Sequence, residues 1–113
     1  MRRGVNRNPV PELTYEERTA ALGKAMRARM RRTMVLENVR TGAVSVPEVV
    51  AMGDSDEAVG AMRVFTLLRA VPGYGFSTAR RLMALIGISE SRRIRGLGCR
   101  QREALADMFG GAE

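Results

Sequence analysis

Val71-Pro-Gly-Tyr-Gly75 and, one helix later, Arg92-Arg-Ile-Arg-Gly-Leu-Gly98 decide how this chain is read. The first segment is a proline–glycine turn. It leads through Phe76-Ser77-Thr78 into the helical run Ala79 to Ile86, which Gly87 closes. The second segment ends in another glycine turn, Gly96-Leu97-Gly98, ahead of a basic helix that starts near Arg100. Glycine lets backbone N–H groups approach a ligand closely, and the N-terminus of a following helix adds a partial positive charge. Two such turns with Arg92, Arg93 and Arg95 between them make an element suited to gripping the phosphates of DNA.

Working outward, Met62 to Ala70 reads as a compact apolar helix with Val64, Leu67, Leu68 and Val71 in the deep core and Pro72 as its stop. Tyr74 is expected with its ring inward and its hydroxyl outward. The helix from about Ser77 to Ile86 places Ala79, Leu82, Met83 and Ile86 on one face and exposes Arg80 and Arg81. Residues 88–99 read as an extended loop. Ile88, Ile94 and Leu97 anchor it and leave Arg92, Arg93 and Arg95 free to project. The last helix runs through Leu105 to Phe109, before Gly110-Gly111.

Toward the N-terminus, Ser45-Val46-Pro47-Glu48 starts a short helix with proline in its first turn, ended by Gly53. Asp54-Ser55-Asp56-Glu57 opens another short turn or helix that reaches Gly60. Thr14-Tyr15-Glu16-Glu17 is a capping box, in which threonine caps the helix and the N3 glutamate reaches back to the cap N–H. From there the pattern stays helical to about Val39. Leu22, Met26, Met30 and Met34 recur every fourth residue, with Ala25 and Thr33 beside them, and read as the stripe that docks on the core. Arg27, Arg29, Arg31 and Arg32 lie off that stripe and are expected on the exposed side, either as a stripe facing DNA or as a solvated face. Residues 1–13, rich in arginine and proline, read as a disordered basic arm. The expected organisation is therefore all-α: an arm over 1–13, then one domain over 14–109, with a long helix (14–40) packed on a core (45–109).

The totals narrow the function. The chain has 113 residues and a formal charge of +7, with 19 basic side chains of which Lys24 is the only lysine. Residues 1–40 carry ten basic and four acidic side chains, 41–62 carry four acids and no base, and 63–113 carry nine basic and four acidic. A chain of this balance favours anionic partners, nucleic acid first. Without histidine and with the single Cys99, no ordinary zinc site, histidine acid–base or intramolecular disulfide can form. Asp54, Asp56 and Glu57 lack the continuation of a calcium loop and instead suit a helix start. No apolar run approaches the ~18 residues a membrane helix needs. These features imply a cytoplasmic protein with no cofactor, metal or small-molecule substrate, and not an enzyme. A DNA glycosylase, which can carry similar turns, needs a base-sized pocket beside a catalytic aspartate or lysine.

A hydrophobic-Pro-Gly-aromatic-Gly turn between two short helices marks a helix–hairpin–helix or helix–two-turn–helix unit, whose amides hold the sugar–phosphate backbone without reading bases. Leu13-Thr-Tyr-Glu-Glu-Arg-Thr-Ala-Ala-Leu22, Met62-Arg-Val64, Leu67-Leu68, Val71-Pro-Gly-Tyr-Gly75 and Ile88 to Gly98 resemble, in order, the actinobacterial (mycobacterial-type) integration host factor family. The resemblance implies a small nucleoid-associated protein in which a long N-terminal helix packs on a helix–two-turn–helix core. It also implies a monomer that binds duplex DNA with low sequence specificity through the backbone and minor groove, bending or organising it. The family's Arg-Arg-hydrophobic-Arg-Gly-Leu-Gly motif falls on Arg92, Arg93, Arg95, Gly96, Leu97 and Gly98 here. Together with the reading of the first turn and the exposed helix arginines, DNA contacts are expected at Gly73, Tyr74, Gly75, Arg80, Arg81, Arg92, Arg93, Arg95, Gly96, Gly98 and Arg100. Phe76 stands where the family has a lysine, Cys99 where a polar or acidic residue is usual, and the segment before Leu13 is longer. These departures mark a divergent member. The alternative is RNA binding, because a small-subunit ribosomal protein carries a comparable Arg-Gly-Leu/Ile-Gly turn.

Overall fold

The computed structural model describes residues 13–110, so the expected basic arm lies outside the described residues but for Leu13. The described chain is helical, with no strand among the described residues: α1 (Tyr15–Thr41), α2 (Val46–Met52), α3 (Glu57–Gly60), α4 (Val64–Arg69), α5 (Phe76–Ile86) and α6 (Cys99–Phe109), with a 3-10 turn at Ile94–Gly96 before α6. Local chemistry sets the boundaries. The expected capping box forms, with Thr14 Oγ1 accepting from Glu17 N–H at 3.0 Å and Glu17 Oε1 from Thr14 N–H at 2.8 Å, and Ser45 and Glu48 make a second one at the start of α2. Gly42 ends α1 in the left-handed conformation, φ 84°.

The core is built by the shorter elements. Leu67 and Leu68 of α4, Val49 of α2, Val59 of α3, Ala79 and Met83 of α5, and Leu105 of α6 are buried, and Ile94 and Leu97 close the cluster from the 3-10 turn and the residue after it. Helix α2 packs on α6, α4 on α5, and α3 on both α2 and the 3-10 turn. Val71 and Ile86 pack against this cluster only partly buried. Helix α4 begins two residues later than the apolar pattern implies. Its preceding residues are held in an extended bridge, where Val64 N–H donates to Arg92 O at 3.0 Å and Ile94 N–H to Met62 O at 2.9 Å.

Helix α1 reverses the sequence expectation. Val35 and Val39, in its last two turns, are its buried residues. Leu22, Met26, Met30 and Met34 are 68%, 54%, 63% and 54% exposed, so the methionine stripe faces solvent. The inward side further up is a column of small residues. Ala21, Ala25 and Ala28 face Ala58 and Ala61 across an open groove of about 540 Å³. Arg31 and Arg32, expected outside, sit half-buried on this inner side. Polar contacts close the groove at its edges: Arg31 Nε donates to Asp56 Oδ2 at 2.7 Å, and Lys24 Nζ stands 4.0 Å from Glu57. Periodicity located the apolar ridge, but the partner helices chose the other face, because only the valine and alanine side lets α3 approach closely.

Candidate nucleic-acid interface

The first turn is formed as its residues require. Tyr74 N–H donates to Val71 O at 3.0 Å, and Gly73 takes φ 84°, a conformation that strains any residue with a Cβ. Tyr74 is half-buried with its ring 5.6 Å from that of Phe109, so it ties the turn to α6. Gly75 is the N-cap of α5 and supplies no side-chain cap, and a Cβ added there meets nothing within 4 Å. The first-turn amides of α5 therefore open onto free space, with the positive end of the helix dipole behind them.

Phe76, the first residue of α5, stacks edge-on against Phe65, ring centroids 5.1 Å apart. The guanidinium of Arg69 lies 5.7 Å from the Phe76 ring and that of Arg80 lies 5.3 Å from it. The start of α5 is thus braced by an aromatic pair between two cations.

The second turn is pinned more firmly. The bridge to Met62 and Val64 holds residues 92–94 against the core, and Ile94 is fully buried. Arg92 Nη1 folds back to Gly96 O at 3.0 Å, and Arg93 Nη1 donates to Ala61 O. Neither side chain projects freely as the sequence implied. Each is exposed but held by one carbonyl, which leaves other donors of the fork open. Ser89, Ser91, Arg92, Arg93, Arg95 and Gly96 line a shallow depression of about 310 Å³, in which all three arginines of the loop meet.

The remaining expected residues divide. Arg81, Arg95 and Arg100 are exposed and make no ion pair or side-chain hydrogen bond among the described residues. Arg80 is paired, its Nε 2.7 Å from Glu90 Oε2. Gly98 N–H is also taken: it donates to Gln101 Oε1 at 2.9 Å, while Gln101 Nε2 donates to Gly87 O at 2.9 Å. Gln101 thereby ties the second turn to the end of α5. Sequence reading missed Arg63 and left Arg32 open between a DNA-facing stripe and a solvated face. They line a depression of about 330 Å³ with Arg93 on the other side of the bridge, so the basic surface continues across the arginine loop onto α1. The signal for Arg63 was its place beside Met62 in a segment read as helix; only the extended bridge turns it outward.

Two acid–base pairs hold this frame together. Asp54 accepts both Arg102 Nη atoms at 3.0 Å, which joins the α2–α3 link to α6. The Arg102 hydrogen bond holds the Asp54 carboxyl below its usual 3.8, and the Arg31 hydrogen bond does the same for Asp56. A carboxylate with a lowered folded pKa contributes stability that is present above the unfolded value and is lost as pH falls through the folded one. Replacing both residues, Asp54→Asn with Asp56→Asn, lowers the melting temperature at neutral pH. The deficit relative to wild type should shrink as pH drops below 3.8 and vanish once the wild-type carboxyls are protonated. Thermal melts from pH 7 to pH 2 measure this, and a deficit that stays constant with pH rules out these pairs as its source.

Comparison with known proteins agrees with this geometry. Residues 39–109 match the S13-like H2TH domain. The chain is 42% identical over 103 residues to the integration host factor of Mycobacterium tuberculosis, spanning 91% of this chain and 98% of that protein. It is 43% identical over 101 residues to the integration host factor of Streptomyces coelicolor, spanning 89% and 94%. The solved structure of sIHF bound to an 8-bp palindromic DNA superposes with a TM-score of 0.76 at 40% identity, covering 78% of this chain and 99% of that one.

Proposed function

The chain belongs to the actinobacterial integration host factor family, and from that premise we propose that it is a nucleoid-associated protein that binds duplex DNA and acts on DNA shape, not as an enzyme. The observation that carries the reading is the depression rimmed by Arg92, Arg93 and Arg95, seated on a loop that the bridge and Ile94 fix to the core. A fixed loop presents its guanidiniums with little loss of backbone freedom, and guanidinium forks match phosphate oxygens. The open amides of Gly73 to Gly75 and the start of α5 take a second phosphate, and Arg81 and Arg100 extend the track. Arg63 joins them, whereas Arg80 and Gly98 act through the frame, by way of Glu90 and Gln101. The wide, flat spread of arginines suits contact along the backbone and entry into the minor groove, with bending as its consequence. Residues 14–109 form the binding unit. Relatives matched along nine-tenths of the chain carry the host-factor name, which weighs for duplex DNA over structured RNA. No helix among the described residues is long and apolar enough to cross a membrane.

The test is a gel-shift series with duplexes of several sequences at two or more salt concentrations, with structured RNA as competitor. With ~4–6 phosphates neutralised, log K falls with log salt at a slope of roughly −4 to −5, and affinity changes little with sequence. A slope near zero, or RNA displacing DNA at equal salt, defeats the reading. Phe76→Lys probes the first turn separately. A lysine there adds one phosphate contact and steepens the slope by about 0.9, while losing the edge-on pair with Phe65 lowers stability by ~1 kcal/mol. An unchanged slope with the expected loss of stability means that the start of α5 does not face the DNA.

A further inference from the structure

A phosphate held by amides and guanidiniums is the same group in DNA and in RNA, so such contacts do not by themselves choose between the two. What differs is the sugar between the phosphates, and one side chain stands where that sugar must lie. Phe76 is 52% exposed, directly after Gly75, at the opening of the α5 amides. A polar residue would sit in water there at no cost. The chain instead leaves an aromatic ring exposed and holds it in place.

Three contacts hold it. Phe76 meets Phe65 edge-on, ring centroids 5.1 Å apart, and Phe65 is packed against the core. The guanidinium of Arg69 lies 5.7 Å from the Phe76 ring centre, and that of Arg80 lies 5.3 Å from it. Arg69 makes no ion pair among the described residues, and Arg80 gives its Nε to Glu90, which leaves terminal nitrogens of both forks for phosphate. A ring held in this way does not swing out to stack between bases. A strand whose phosphates meet the open amides and these two cations lays a sugar against the ring.

We propose that Phe76 is the residue by which this site selects deoxyribose over ribose, a proposal that rests on the reading of the first turn as a nucleic-acid contact. Deoxyribose offers the ring only C–H groups and buries apolar surface against it. Ribose brings its 2′-hydroxyl, the group that lets a protein tell RNA from DNA. Against Phe76 that hydroxyl loses water and finds no acceptor for its proton, because the two rings carry none and the two guanidiniums only donate. An unpaired hydroxyl buried there lowers affinity by about tenfold.

The test uses the full chain and three duplexes of one sequence at one low salt concentration: DNA, RNA, and a duplex with 2′-fluoro sugars. The fluoro duplex keeps the A-form of RNA and has no hydroxyl to desolvate, so the ratio of its affinity to that of RNA isolates the contact from helix shape. Wild type binds the 2′-fluoro duplex about tenfold more tightly than RNA. Phe76→Ser removes the ring and offers a hydroxyl as partner. It weakens binding to DNA by about threefold and brings the fluoro-to-RNA ratio near one. Phe76→Leu keeps apolar bulk at the position and retains most of the tenfold ratio. Circular dichroism and thermal melts check that each variant is folded at the titration temperature. A ratio near one in wild type, a tenfold ratio that survives Phe76→Ser, or a leucine variant that loses the ratio as fully as the serine variant overturns the proposal and leaves duplex DNA binding standing. A wild type that binds no DNA duplex, or binds it without salt dependence, removes the DNA reading and the proposal with it.

Discussion

Replacing Arg92, Arg93 and Arg95 together by alanine lowers affinity for duplex DNA by roughly 100-fold and flattens the salt slope by about 2.7, one phosphate being lost per arginine. The size follows from exposure: a hydrogen bond to a charged group is worth ~1.5–3 kcal/mol when protected. At a solvated rim each arginine contributes nearer ~1 kcal/mol, so the three sum to about two decades. The single variants separate binding from support. Arg95 makes no ion pair or side-chain hydrogen bond among the described residues, so Arg95→Ala weakens binding about fivefold and leaves the melting temperature unchanged. Arg93 also holds Ala61 O beside the bridge, so Arg93→Ala lowers both affinity and melting temperature. Binding titrations at two salt concentrations, with thermal melts of each variant, check this. If the triple variant binds with an unaltered slope, the arginine loop is not the DNA contact.

How far these contacts were legible in the sequence depends on what fixes each one. The turns were legible because their residues are locally constrained: Gly73 at a positive φ, the Thr14 capping box and the helix start at Ser45 stand where the sequence puts them. The loop anchors Ile88, Ile94 and Leu97 were legible as isolated apolar residues among charges, and all three are buried. Orientation between elements was not. The face of α1 that docks was misread because methionine outweighs alanine in any count of hydrophobicity, whereas close helix approach needs the small residues. The pairing of Arg80 with Glu90 was hidden because the two lie ten residues apart, one on α5 and one in the loop after it, whereas the bond from Gly98 N–H to Gln101 is a local N-cap contact that the reading passed over. The bridge from Met62–Val64 to Arg92–Ile94 is two hydrogen bonds long, below anything that alternation of residue types can signal.

Gly60→Ala is expected to cost about 2–3 kcal/mol, or ~10–20 °C in melting temperature, although the residue has an ordinary negative φ. In sequence Gly53 and Gly60 are only helix stops. In the fold they are where the ends of α2 and α3 and the arginine loop converge. A Cβ on Gly60 meets the carbonyl oxygen of Gly53 at 2.6 Å and Cβ of Arg95 at 3.2 Å, and a Cβ on Gly53 meets Cγ2 of Ile94 at 2.7 Å. The first contact is with backbone, which cannot rotate away, so α3 must move, and α3 carries the 3-10 turn with it. Binding should therefore fall together with stability, measured at a temperature where the variant is still folded, because the shift displaces Arg95 and lifts Ile94 from its seat. Gly75→Ala provides the contrast. Its Cβ meets nothing in the protein, so stability falls by at most ~1 kcal/mol, the ordinary cost of alanine at an N-cap. The added methyl nonetheless stands at the opening of the α5 amides and weakens binding on its own. If Gly60→Ala melts like wild type, the two glycines do not fix the loop, and the rigidity assigned to the arginine site has another source.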